Sequence, residues 1–166
     1  MRASITSAVG LCLVVASCAS QPVGFTPGGR VSATVVSHID GDTFTVSIAG
    51  RRTDVRLIGL DTPETKHPTT PVECAGPEAS AFTATEFPVG TEVELARDIE
   101  ARDRFGRLLA YVWRATDGYF LNAELLRNGW AGAHPYEPNT SHATWFAGVA
   151  ADAKAANRGM WAMCHG

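Results

Sequence analysis

Apolar and polar residues alternate through VSATVVSHI (31–39), TFTVSIA (43–49) and DVRLIGL (54–60), the period of two that a strand with one buried face requires. TEVELAR (91–97) and RLLAYVWRA (107–115) read as two further strands. Between and after them the pattern turns helical. GPEASAFTATEF predicts a helix over 76–87, FLNAELLRNG one over 120–129 with Asn122 near its start and Gly129 at its end, and an alanine-rich run one over 141–157, closed by Arg158 and Gly159. Short strands joined by hairpins, with helices interspersed, suit a small barrel capped by helices. The folded unit is placed at residues 30–166, enough chain for one domain with a real core.

Residues 1–17 depart from this pattern. Arg2 gives a small positive start, Ile5 to Val15 an apolar run too short to span a bilayer, and VASC ends at Cys18. This resembles a bacterial lipoprotein signal, with Cys18 as the lipidated residue and 18–29 as a Pro- and Gly-containing flexible tether. Ordinary signal cleavage and free secretion is the alternative. Either way the chain is exported, and a membrane is engaged only through the lipid. Export also bears on the cysteines. With Cys12 in the signal and Cys18 modified, the domain keeps Cys74 and Cys164, which allow one disulfide in an oxidising compartment. Closing so long a loop contributes about 4 to 5 kcal/mol in the loop-entropy model. Two unpaired thiols are the alternative.

Chemistry concentrates in IDGDT (39–43) and RLIGLDTPETKHP (56–68). Asp40 and Gly41 fall where a tight hairpin needs positive φ, and Asp42 follows the turn. Arg56 and Asp61 are an odd number of residues apart, on opposite faces of a regular strand, unless a bend near Gly59 brings them together. Calcium takes six to eight oxygens in a flexible shell, and Asp42, Asp61 and the Thr62 carbonyl supply a protein share. Glu64 is then a general base by position, and Arg56 a phosphate clamp that keeps its proton. RDRFGRLLAYVW adds a polar turn with Asp103, Arg104 and Gly106, and Arg107 at the mouth of a strand. Each piece has a plainer reading: DGD as a turn, DTPE as a capping box, Arg56 as a strand-edge residue, Arg107 as a partner of Asp103. Jointly they read as a phosphodiester-cleaving site.

Five blocks in order, IDGDT, RLIGLDTPETKHP, GPEASAF, DRFGRLLAYV and LNAELLRNGWA, resemble the staphylococcal nuclease family over roughly residues 30 to 162. The resemblance implies an α+β fold, an OB-type five-stranded β-barrel with about three α-helices. It implies calcium on Asp42, Asp61 and the Thr62 carbonyl, Glu64 as base, and Arg56 with Arg107 as the phosphate-binding pair. The implied reaction is hydrolysis of DNA or RNA at the 5′ oxygen, to 3′-phosphate and 5′-hydroxyl ends. His134 stands where the family has a nucleotide-packing tyrosine, and Tyr136 keeps a second one. Phe105 replaces a tyrosine, Arg104 a lysine, and Thr69 and Thr70 fill a lysine-rich loop. Lys66, Arg104, His134 and Tyr136 are the candidate substrate contacts.

Charge changes the expected grip. With 14 basic and 17 acidic residues the net charge is −3, so attraction of nucleic acid must be local, through Arg56, Lys66, Arg104 and Arg107. A catalytically weak OB-type nucleic-acid-binding lipoprotein is the competing reading, and a lipoprotein using calcium for structure alone a third. His38 lacks metal-ligand spacing, and His67, His142 and His165 read as surface groups. Trp113, Trp145 and Trp161 read as packing residues. The chain is expected to act as a monomer.

Overall fold

The computed structural model describes residues 26–66 and 71–164. The signal at 1–17, the lipidation candidate Cys18, most of the tether, and His67, Thr69, Thr70 and His165 lie outside the described residues. Five strands close a barrel: β1 (Arg30–His38), β2 (Thr43–Ile48), β3 (Arg51–Leu57), β6 (Leu108–Arg114) and β5 (Glu92–Ala96), in that order around it. All neighbours run antiparallel except β3 and β6. A register shift between Val35 and Ser37 lets β1 pair with β2 on one side and β5 on the other. This is the five-stranded OB-type α+β fold.

The period-two pattern decides which side chains fill the barrel. Val31, Ala33 and Val35, then Phe44 and Val46, Val55 and Leu57, and Val93 and Leu95 are buried on alternate positions. β6 is buried on both faces, because α2 (Leu121–Arg127) covers its outer side, and it therefore reads LLAYV without alternation. Helix α1 (Gly76–Glu86) follows the acidic loop and α3 (Ala143–Ala155) packs on α2. A single turn, α4 (Met160–Met163), ends at Cys164, which is bonded to Cys74 across 90 residues. Among the described residues no helix is long and apolar enough to cross a membrane.

Three expectations change. Positive φ falls at Ala49 and Gly50, the two-residue turn between β2 and β3, and not at Asp40 and Gly41. The β1–β2 connection is wider: the Ile39 and Asp40 amides both donate to the Thr43 carbonyl, and the Asp42 amide to Asp40 Oδ1. The run 54–60 is not one strand either. It splits at Ile58 into the end of β3 and a short β4 (Gly59–Asp61), which pairs with an unforeseen β7 (Gly132–His134). The break strands backbone groups in the core, and the fully buried Asn122 takes them up, donating to the Ile58 carbonyl at 3.0 Å while accepting the Val112 amide at 3.0 Å.

His142, finally, is no surface group. It packs edge-on to Tyr111, ring centroids 4.5 Å apart, beside Phe120, Trp145 and Phe146. Burial lowers its pKa, against the attraction of Asp98. Although burial pushes the Asp98 carboxyl up, the amide and hydroxyl of Ser141 and the Tyr111 hydroxyl hold it below the usual range. Both shifts weaken the fold in acid. The His142 contribution is complete above its unfolded value of about 6.5 and declines as pH falls below it. The Asp98 contribution is complete above its ordinary 3.8 and is lost as pH falls through the lower folded value. Thermal melts should therefore lose Tm in two stages on acidification, and His142→Gln should remove the upper one. Equal acid sensitivity in wild type and His142→Gln would contradict this.

Candidate active site

One end of the barrel gathers the chemistry. Thr43 opens β2 opposite Arg56 near the end of β3, and Arg56 is in turn level with Leu109 at the start of β6. Asp42, Arg56 and Arg107 therefore emerge together. The bend anticipated near Gly59 is present, with φ +84°. A Cβ at Gly59 would lie 2.6 Å from the Phe146 ring, so only glycine lets β4 turn under α3. Past that bend Asp61 comes back to Arg56 and the two form an ion pair.

Arg56 also pairs with Asp42, through its other terminal nitrogen. One guanidinium fork thus spans the two carboxylates. Asp42 is 1% exposed and saturated with donors: Thr43 Oγ1 at 3.0 Å on Oδ1, and the Thr62 amide at 2.9 Å and hydroxyl at 3.0 Å on Oδ2. Thr62 therefore positions Asp42. Helix α1 fixes the loop from behind, since Thr83 Oγ1 donates to the Gly41 carbonyl at 2.6 Å. Asp40 sits beside the group; burial pushes its carboxyl up, opposed by Arg56 and reinforced by the charge of Glu64. Glu64 Oε1 accepts the amides of Thr65 at 2.8 Å and Lys66 at 2.7 Å.

These oxygens suit a hard cation. Asp42 and Asp61 share Arg56, and Asp40 lies within reach of the charges of Arg56 and Glu64, so carboxylates outnumber the cation they share and a divalent ion would offset the excess. Among the described residues no three His, Cys, Asp or Glu side chains form a ready cage. A cation here would complete its shell with carbonyl, hydroxyl and water oxygens, as calcium does readily.

Arg107 does pair with Asp103, Nε to Oδ2 at 2.7 Å, while Asp103 Oδ1 accepts the amides of Phe105 and Arg107 and so shapes the turn. Arg107 NH1 also reaches to 3.5 Å from Thr43 Oγ1, which links it through Thr43 to Asp42 and Arg56. Arg56 and Arg107 line a cleft of about 420 Å³ together with Arg104, Phe105, His134 and Tyr136. His134 enters through β7, level with Gly59. Phe105 and Tyr136 expose 69% and 65% of their surface, and the Arg104 guanidinium lies 4.7 Å from the Phe105 ring. Exposed aromatic faces beside cations are what stacked bases require. Lys66 is exposed in the acidic loop and is not one of the residues that line the cleft.

The model of the staphylococcal nuclease homologue family matches residues 54–163. The chain belongs to the staphylococcal nuclease family. It is 40% identical over 119 residues to a thermonuclease of Staphylococcus hyicus, covering 72% of this chain and 69% of that one. A thermonuclease of Staphylococcus intermedius is 43% identical over 104 residues, 63% of this chain and 60% of that one. The endonuclease YncB of Bacillus subtilis is 38% identical over 133 residues, 79% of this chain and 62% of that one. The chain thus spans about two thirds of its relatives' length.

Within this family member, the supporting roles of three residues escaped the reading of the sequence. Thr43 joins the two arginines, Asn122 bridges the strand break, and Glu73 accepts the Glu64 amide at 2.9 Å. Thr43 closes the IDGDT block and was open to notice. Glu73 precedes Cys74 in an unpatterned loop, and nothing local marks it.

Proposed function

We propose that the protein is a calcium-dependent nuclease that hydrolyses phosphodiester bonds of DNA or RNA to 3′-phosphate and 5′-hydroxyl ends. The observation that carries this reading is the convergence of Arg56 and Arg107 with Asp42 and Asp61 at one barrel end, with the Glu64 charge acting on the neighbouring Asp40, beside an aromatic, arginine-lined cleft. The names of its thermonuclease and endonuclease relatives point the same way.

In this mechanism Asp42, Asp61 and the Thr62 carbonyl would hold calcium, which when bound would supply Lewis-acid stabilisation of charge on the phosphate. Arg56 and Arg107 then bind the phosphoryl oxygens and stabilise the charge that grows on them. Glu64 takes a proton from the water that attacks phosphorus, and the bond to the 5′ oxygen breaks. Arg104, His134 and Tyr136 form the cleft wall against the nucleotide, and Lys66 adds local positive charge. We further propose export, with Cys18 lipidated or the chain secreted, and action as a monomer.

The test is cleavage of single-stranded DNA and RNA by the domain from Pro27 onward, in calcium and in EGTA. Cleavage only in calcium is expected. Tight binding without cleavage would favour the catalytically weak binding lipoprotein instead. Asp42→Ala should raise the calcium needed for half-maximal rate by at least about tenfold, because the loosely held oxygen set loses its buried carboxylate. An unchanged calcium titration would remove Asp42 from the ligand set.

A further inference from the structure

Glu64 is held by a clamp whose far end is a covalent bond. Its amide donates to Glu73 Oε2 at 2.9 Å, and the Glu73 amide donates back to the Glu64 carbonyl at 2.9 Å. Gly76 seats the same backbone from the other side: a Cβ there would fall 3.0 Å from the Pro63 and Glu64 carbonyl oxygens. Because the Glu64 carboxylate rests on the amides of Thr65 and Lys66, the backbone here decides where that carboxylate sits.

Apolar burial does not hold the clamp, since residues 71–74 are all exposed. The residue after Glu73 is Cys74, and its bond to Cys164 ties it to α4. That helix is itself tied down where the Met160 amide donates to the Gly129 carbonyl at 2.9 Å, beyond the end of α2. A continuous line of bonds thus runs from the packed helices to Glu64. The weak point is Cys74, which is exposed and open to thiol–disulfide exchange.

We propose that Glu73 is a positioning residue for Glu64 and that the Cys74–Cys164 bond is a redox switch on it. The inference rests on the nuclease reading. In the oxidised chain Glu64 is in place; in the reduced chain nucleic acid still binds but turnover is slow. A dithiol throws the switch: one thiolate displaces a cysteine sulfur to give a mixed disulfide, and the second closes on the first. Two electrons and two protons pass to Cys74 and Cys164, and the dithiol leaves as a cyclic disulfide. An external disulfide reverses this and is reduced to two thiols. A chain in a reducing compartment would stay slow until oxidised.

The experiment compares the oxidised chain, the chain in dithiothreitol, Cys164→Ser, Glu73→Ala and Glu73→Gln. It reads amide exchange at Glu64 without calcium, and kcat and KM on single-stranded DNA with calcium. Reduction, Cys164→Ser and Glu73→Ala should each speed exchange at Glu64 by about tenfold or more, with the Val112 amide, bonded to Asn122 in the barrel, still protected. Each should also lower kcat by about tenfold or more with KM within about twofold. Glu73→Gln keeps an acceptor oxygen and should behave like wild type, and reduction should add little to Glu73→Ala. Unchanged exchange at Glu64 on reduction would overturn the switch, and faster exchange with unchanged kcat would overturn its hold on turnover. If the oxidised wild type cleaves nothing, the nuclease reading fails instead, and exchange alone still decides whether the bond holds Glu64.

Discussion

Glu64→Gln is expected to lower kcat by about a thousandfold, within the range for loss of a general base, while calcium and nucleotide affinities stay close to wild type. The substitution is gentle in structure. Glutamine keeps an oxygen to accept the Thr65 and Lys66 amides that Glu64 Oε1 now accepts, and the backbone bonds to Glu73 do not depend on the side chain. What it loses is the capacity to take a proton from water. Single-turnover rates and equilibrium binding on the same preparation separate the two. Near-normal turnover would remove Glu64 from the role of base.

Arg107→Ala should cost about a thousandfold or more in kcat, by analogy with arginines that stabilise charge in other phosphoryl transfers. It is a cleaner test than Arg56→Ala. Removing Arg56 leaves the carboxylate of Asp42, 1% exposed, without its cation, so lost stability and lost activity would be mixed. Arg107 faces Asp103, whose side chain is 16% exposed, and its own is 30% exposed. The Asp103 carboxylate keeps the Phe105 and Arg107 amides after the change. The Tm should therefore move little while kcat collapses. A loss of activity matched by a loss of folded protein would speak against a role in the transition state.

The sequence carried the barrel because alternation survives wherever one face of a strand is buried, as in Val31, Ala33 and Val35. It carried the chemical residues because carboxylates, arginines and a glutamate crowd into two short blocks. It failed where tertiary contact overrides local pattern. The run through Leu60 looked continuous, yet Phe146 and Asn122, far along the chain, dictate the break at Ile58. The positive φ assigned to Asp40 and Gly41 went to Ala49 and Gly50, since the DGD loop is shaped by Thr43, Thr62 and Thr83. β7 is three residues long and has no pattern of its own; it exists because β4 offers it a partner. The aromatic burial of His142 and the clamp by Glu73 are likewise products of assembly.

Net charge of −3 and a cleft lined by Arg56, Arg104 and Arg107 are compatible once attraction is local. The field that matters to a phosphate is the one within a Debye length, about 8 Å at physiological salt. A bound calcium would offset two of the carboxylate charges around the site.

The central claim, that this barrel end is a calcium-dependent phosphodiesterase site breaking the bond to the 5′ oxygen, is tested most directly by the ends it leaves. The oxidised domain should be incubated with single-stranded DNA in calcium, beside an EGTA control, and the fragments end-labelled with and without prior phosphatase treatment. Fragments carrying 5′-hydroxyl and 3′-phosphate ends, formed only in calcium, are the predicted result. Fragments carrying 5′-phosphate ends, or equal cleavage in EGTA, would contradict it.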